Sequence, residues 1–257
     1  MRYRRGMPLI DFSIRFRLLS GLTFYIVWPI AQLVNIFLYS VRYENTNKIR
    51  LFKGNAVFVS NHTTFLDPVI ACGAVLPRRT WHTMLELTVE APFLGTFTRL
   101  LGGIPLPPGG RGIDRIIEIS ERALKRHHFM HFYPEGECYT HNQEIAPFKS
   151  GAFFIAAKLN IPVIPAVSVF YDGLFPKGTA LGRKFPKMKV VVLDPVYPKD
   201  HVNFDENGEP NLKSVKEYAQ AVRQIMQNEI ERRRAENPRA GTQIYSKGKM
   251  PRIKGIN

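Results

Sequence analysis

Five short runs rich in β-branched and aromatic residues, at 56–60, 80–84, 129–133, 163–170 and 188–193, alternate with stretches of helical character at 67–76, 88–101, 113–125 and 150–159. That alternation constrains the fold most, because parallel strands need long crossovers and helical crossovers cover both sheet faces. The expected class is α/β, with a largely parallel central sheet flanked by helices. The helix at 88–101 is expected to be interrupted or started at Pro92. Residues 42–55 are polar and end in Lys53-Gly54-Asn55, a turn into the first strand, and the Gly/Pro-rich stretch 102–112 reads as a loop with a short strand at its start. A last amphipathic helix over 211–236 sets Leu212, Val215, Ala219, Val222 and Met226 on one stripe and is expected to pack on the domain. The organisation expected is therefore N-terminal membrane-associating helices over 1–45, an α/β domain over 46–236 and a basic, disordered tail over 237–257.

The first strand run leads into Asn61-His62-Thr63-Thr64-Phe65-Leu66-Asp67-Pro68. Loops leaving the C-terminal ends of strands in such sheets are where ligand sites form. Asp67-Pro68 reads as a helix start, with the carboxylate at the N-cap and proline at the first helical position. On one continuous helix, side chains five residues apart would point roughly 140° from one another. A turn that ends at Asp67 can instead fold the carboxylate back onto the imidazole of His62, fixing its tautomer and steadying its charged form. His62 is then a candidate base.

This H-x4-D segment resembles the first motif of the glycerolipid acyltransferase family, to which 1-acylglycerol-3-phosphate acyltransferases belong. Later segments agree in order: Phe132-Tyr133-Pro134-Glu135-Gly136 resembles the third motif, Phe148-Lys149-Ser150-Gly151-Ala152 the segment after it, and Ile161-Pro162-Val163-Ile164-Pro165 the fourth. The resemblance implies an O-acyltransferase that moves a fatty acyl chain from acyl carrier protein or coenzyme A to the free hydroxyl of a lysolipid. Lysophosphatidic acid, giving phosphatidic acid, is the acceptor it implies most directly. His62 would be the general base, Asp67 its orienting partner, and Asn61, Glu135, Gly136 and Lys149 would meet the substrates. No cofactor is implied beyond the thioester co-substrate. The family usually continues its third motif with Thr-Arg, where this chain has Glu137-Cys138, and the arginine of the second motif aligns with Pro108. Arg111 and Arg115 are the expected replacements, since a forked guanidinium suits phosphate. A cationic headgroup, as in lyso-ornithine lipid, would instead make Glu137 intelligible. A membrane-anchored lipid-binding protein without turnover is the rival class.

A formal net charge of +15 and a pI near 10.0 imply an anionic partner, which charge alone does not identify. Cys72 and Cys138 form no disulfide framework and fit a reducing, cytosol-facing compartment. Residues 18–40 are uncharged and, at about 23 residues, long enough to cross a bilayer. Pro29 divides them into halves of about 11 residues, or ~16 Å each. A bent helix pair dipping into one leaflet is expected, with Tyr25, Trp28 and the flanking arginines at headgroup level; a buried core helix is the other reading. The resemblance agrees with the first, since bacterial members carry an N-terminal two-helix membrane motif. The expected location is the cytosolic face of the cell inner membrane. His127, His128, His131, Cys138 and His141 match none of the recurrent zinc spacings, so no metal is assigned. The basic clusters carry no nucleic-acid-binding motif, and no nucleic-acid partner is expected.

Overall fold

The computed structural model describes residues 3–4, 6–106, 113–171, 186–237 and 240. Among them, β1 (Arg42–Glu44), β2 (Ala56–Ser60), β3 (Thr80–Leu85), β4 (Gly103–Leu106), β5 (Phe129–Phe132), β6 (Val163–Tyr171) and β7 (Lys187–Val192) form one sheet. Its order is β1-β7-β6-β2-β5-β3-β4. Every pair is parallel except β6 with β7, so the expected α/β class holds with one antiparallel step. The helices are α1 (Ile14–Tyr39), α2 (Asn47–Arg50), α3 (Asp67–Val75), α4 (Glu86–Glu90), α5 (Leu94–Leu100), α6 (Ile113–Leu124), α7 (Gly151–Lys158) and α8 (Leu212–Glu236).

β2 is buried at all five positions, which is why its sequence is a continuous apolar run. Its side chains alternate between two cores. Ala56 and Phe58 meet Ile70, Ala74 and Val75 of α3, whereas Val57 and Val59 join a cluster with Phe153, Tyr218 and Val222. Each such large side chain adds roughly 1.5–3 kcal/mol on burial. α8 starts where Asn211 accepts from the backbone amides of Lys213 and Ser214, and it buries Val215, Tyr218, Ala219, Val222, Met226 and Ile230.

Two expectations change. The polar residues ahead of Lys53, to which the sequence alone assigns no element, hold β1 and α2; Arg50 of α2 donates to the carbonyls of Gly73 (2.8 Å) and Ala74 (3.1 Å), satisfying the end of α3. The N-terminal apolar run is not a bent pair but a single 26-residue helix, α1, with Pro29 inside it. Proline removes one backbone donor there, and packing against α3 and α5 carries the helix past the gap. α1 is long and apolar enough to cross a membrane, yet it docks through polar groups: Ser20 Oγ donates to Leu100 O (2.6 Å) and Gln32 Nε2 to Val69 O (2.9 Å). The interruption expected at Pro92 is present, with α4 and α5 meeting around Pro92 and Phe93. Pro108, Arg111 and nearly all of the 237–257 tail lie outside the described residues.

Candidate active site

β2 and β5 are parallel neighbours, with Ala56 opposite Phe129, so the loops at their C-terminal ends emerge side by side. The first loop carries His62. Its Nδ1 lies 2.8 Å from Asp67 Oδ2, the Asp67 side chain being 3 % exposed and that of His62 18 %. Asp67 is not the N-cap but the first residue of α3, with Leu66 in the cap position and making no side-chain cap bond. The carboxylate has turned back on its own loop. Oδ2 accepts from the amides of Thr63 (2.5 Å) and Thr64 (2.8 Å), and Oδ1 accepts from Thr64 Oγ1 (2.9 Å). These donors fix the carboxylate, the carboxylate fixes the imidazole, and Nε2 remains for a ligand.

The second loop is stitched to the first. Glu135, 5 % exposed, accepts from His62 N (2.8 Å) with one carboxylate oxygen and from Ala146 N (3.0 Å) with the other. Burial is the main cause that pushes its carboxyl up to about 7. Tyr139 N donates to His62 O (2.9 Å) and His141 N to Thr63 O (2.8 Å). Asn61, 1 % exposed, ties β2 to β6 through the backbone of Ser168, accepting from its N (2.8 Å) and donating to its O (3.3 Å). Asn61 and Glu135, which the resemblance puts at the substrates, thus hold the loops that carry His62. Gly136 has φ 73°, in the left-handed region that favours glycine, and a Cβ there would run into the Lys149 side chain. The amine of Lys149, exposed to solvent, therefore lies over the Gly136 turn. Arg115 is on α6 and Arg111 falls outside the described residues.

His62 opens on a cavity of about 370 Å³. Its polar end is lined by His62, Tyr133, Glu137 and Cys138, and its apolar depth by Phe24, Trp28, Val69, Met84, Phe97 and Leu101. α1 is thus one wall of the cavity. The Tyr133 ring stacks under His62 with centroids 4.0 Å apart and planes 18° from parallel. Sequence reasoning passed over Tyr133, although its place at the end of a strand beside Pro134-Glu135-Gly136 is a signal. It passed over a buried polar file too: Ser60 Oγ to His131 Nε2 (2.9 Å), His131 Nδ1 to His82 Nδ1 (3.2 Å), and His82 Nε2 to Cys72 Sγ (3.0 Å). His62, Asp67 and Cys138 have donor atoms within 4.8 Å of one another, close enough for a metal ion. Burial pushes the Cys138 thiol well up, helped by Asp67 and Glu135, so it is a poor nucleophile and a poor ligand without outside help.

These features place the chain among α/β proteins built around a histidine–carboxylate pair that faces an apolar cavity. It belongs to the Acyltransferase family, whose pattern it matches over residues 40–169, just over half its length. Among relatives, it is 32% identical over 120 residues to the 1-acyl-sn-glycerol-3-phosphate acyltransferase of Saccharomyces cerevisiae, covering 46% of this chain and 39% of that protein. It is 30% identical over 146 residues to the human 1-acyl-sn-glycerol-3-phosphate acyltransferase beta, covering 53% and 51%. The match to the Escherichia coli 1-acyl-sn-glycerol-3-phosphate acyltransferase is 30% over 114 residues, covering 44% and 46%. The chain thus spans about half the length of the curated relatives it matches, or less. Its fold resembles that of the 1-acyl-sn-glycerophosphate (LPA) acyltransferase from Thermotoga maritima, with TM-score 0.60, 22% identity, and 84% and 81% of the two chains covered.

Proposed function

We propose that this protein is a membrane-associated O-acyltransferase that moves a fatty acyl chain from an acyl carrier protein or coenzyme A thioester to the free hydroxyl of lysophosphatidic acid, giving phosphatidic acid. The observation that carries the reading is the 2.8 Å bond between His62 Nδ1 and Asp67 Oδ2 at the mouth of an apolar cavity. In this reading His62 Nε2 takes the proton of the acceptor hydroxyl as its oxygen attacks the thioester carbonyl. The thiolate then leaves and takes the proton back, while Asp67 steadies the imidazolium in between. Transfer is direct, since Cys138 is held as a thiol and Ser60 is engaged by His131 inside the sheet.

Lys149 over the Gly136 turn supports a phosphate headgroup at the polar end of the cavity, and Arg111 and Arg115 are the further candidates. The net charge of +15 fits anionic donors and an acidic cytosolic leaflet. Glu137 in the cavity wall favours a second reading, a lysolipid with a cationic headgroup such as lyso-ornithine lipid. One experiment separates them: purified protein is incubated with a panel of lysolipids and both donors, and products are read by mass spectrometry. Phosphatidic acid formed above all other products is the expected result. Preference for the ornithine lipid, reversed in Glu137→Thr, would replace it with the second reading, and no product from any acceptor would leave the lipid-binding class.

A further inference from the structure

Large apolar side chains stand in water at two places that the fold brings together. One is the outer stripe of α1, where Leu18, Leu22, Ile26, Ile30, Leu33 and Phe37 recur at helical spacing over about 30 Å. The other is the α4–α5 corner, with Leu87 62 %, Phe93 94 % and Phe97 41 % exposed, and Phe65 59 % exposed beside it. Ser20 is bonded to Leu100 at the end of α5, while Leu94 at its start shares the cavity wall with Trp28 and Ala31. α5 therefore packs on α1, and the two helices line one cavity together. Phe65, Leu94 and Phe97 face out and line the cavity as well, so the outer apolar surface continues into it. Phe93 sits at the tip with φ 59°, a conformation that bulky residues rarely adopt, and at its exposure the protein itself offers the ring almost no contact.

We propose that the α4–α5 corner, with Phe93 at its tip, inserts beside α1 into the acyl region of a leaflet of anionic phospholipid, so that the cavity opens inside the leaflet. A lipid tail then enters the cavity sideways without crossing water. The polar docking of α1 requires this orientation. Ser20, Gln32 and Asn35 are all buried against the protein, so α1 lies along the domain for its whole length. Were it to cross the bilayer, α3 and α5 would be carried into hydrocarbon with it. Lying in the interface, it exposes the stripe to acyl chains and leaves Arg15 and Arg17 at its start, and Arg42 just past its end, at headgroup level. Continuity with α1 and this basic fringe favour lipid over a second protein as the occupant.

The insertion is read without turnover, so it stands or falls apart from the substrate proposed above. Full-length Phe93→Trp is bound to phosphatidylcholine–phosphatidylglycerol vesicles with and without bromine on the acyl chains. Ile225→Trp, on α8 and on the sheet face opposite α3, serves as the control. Bromolipid is expected to remove at least half of the emission added at position 93 and to leave that at 225 unchanged. Unquenched emission at 93 in vesicle-bound protein, or equal quenching at both positions, overturns the proposal. Phe93→Glu should weaken vesicle partition about tenfold, since one large apolar side chain is withdrawn from lipid. Its melting temperature should stay near that of wild type. If light scattering shows a wild-type dimer that Phe93→Glu dissociates while vesicle binding is unaltered, the corner is a protein contact and the proposal fails.

Discussion

His62 and His131 meet the same tyrosine from two sides and sit in opposite surroundings. His62 stacks on the face of Tyr133 at 4.0 Å, and His131 meets its ring edge-on at 4.5 Å and 86°. His62 has a carboxylate on one nitrogen and a cavity at the other. His131 is wholly buried between Ser60 and His82, with no acid against it. Burial is the first cause that holds His131 well below its usual range and His82 down to about 4, so this pair is neutral. The difference teaches that the partners, and not the residue type, decide whether an imidazole in this protein is placed to exchange protons with a ligand or only bridges strands.

The comparison breaks most sharply at His62. His62→Ala is expected to lower kcat about a thousandfold or more, with melting temperature and vesicle binding near wild type; substantial turnover would remove the base from the mechanism. Asp67→Asn should lose about a hundredfold. It should melt lower too, because an amide cannot accept all the bonds that Thr63, Thr64 and His62 bring to that side chain. A wild-type rate in this variant would sink the orienting role. On the other side, His131→Phe should cost about 2–4 kcal/mol in urea unfolding, through the orphaned Ser60 and His82, while the folded enzyme keeps kcat within a few-fold. A loss of activity as deep as that of His62→Ala would erase the distinction.

The pH dependence sharpens it further. A histidine whose folded pKa is depressed contributes stability that is present above its unfolded value and is lost as pH falls through the folded one. His82, at about 4 against 6.5, and His131, also depressed, should therefore destabilise the protein as pH drops from 6.5 toward 4. Glu135, raised from 4.5 to about 7, acts the other way: its contribution is full below 4.5 and is lost as pH rises to 7. His127, which burial holds down to about 3, adds to them, and three histidines against one raised carboxyl predict net acid lability in thermal melts, with a shallower slope in His131→Phe. The smallest effect is expected for Cys138→Ser, with turnover within a few-fold; collapse of activity there, with a hydroxylamine-labile acyl adduct on wild type, would move the reaction to a covalent route.

How much of this could be read beforehand follows from sequence separation. The His62–Asp67 pair was legible because its whole geometry is made within six residues, and β2, β3, β5, β6 and β7 were legible because buried strands in a parallel sheet are apolar runs, while β4 showed only as a short strand opening the Gly/Pro-rich loop. β1 and α2 were not, being three and four residues long and existing through partners elsewhere, β7 for one and the end of α3 for the other. Asn61 and Glu135 were visible as motif residues, but their partners lie 107 and 73 residues away, so nothing local says that they face inward to Ser168 and the His62 amide. Pro29 misled for a related reason. A proline marks a lost bond, while the contacts that outweigh the loss come from α3 and α5.

The polar seat of α1 bears on the order of manufacture. Its partners are Val69, 37 residues after Gln32, and Leu100, 80 residues after Ser20. During synthesis the helix therefore leaves the ribosome long before the surfaces that will receive its serine and glutamine. In that interval its apolar stripe has no protein to cover it, and a nearby bilayer is the better solvent. In the orientation proposed above, delivery to the membrane would come ahead of folding, and the α/β domain would be assembled onto a helix already lying in lipid.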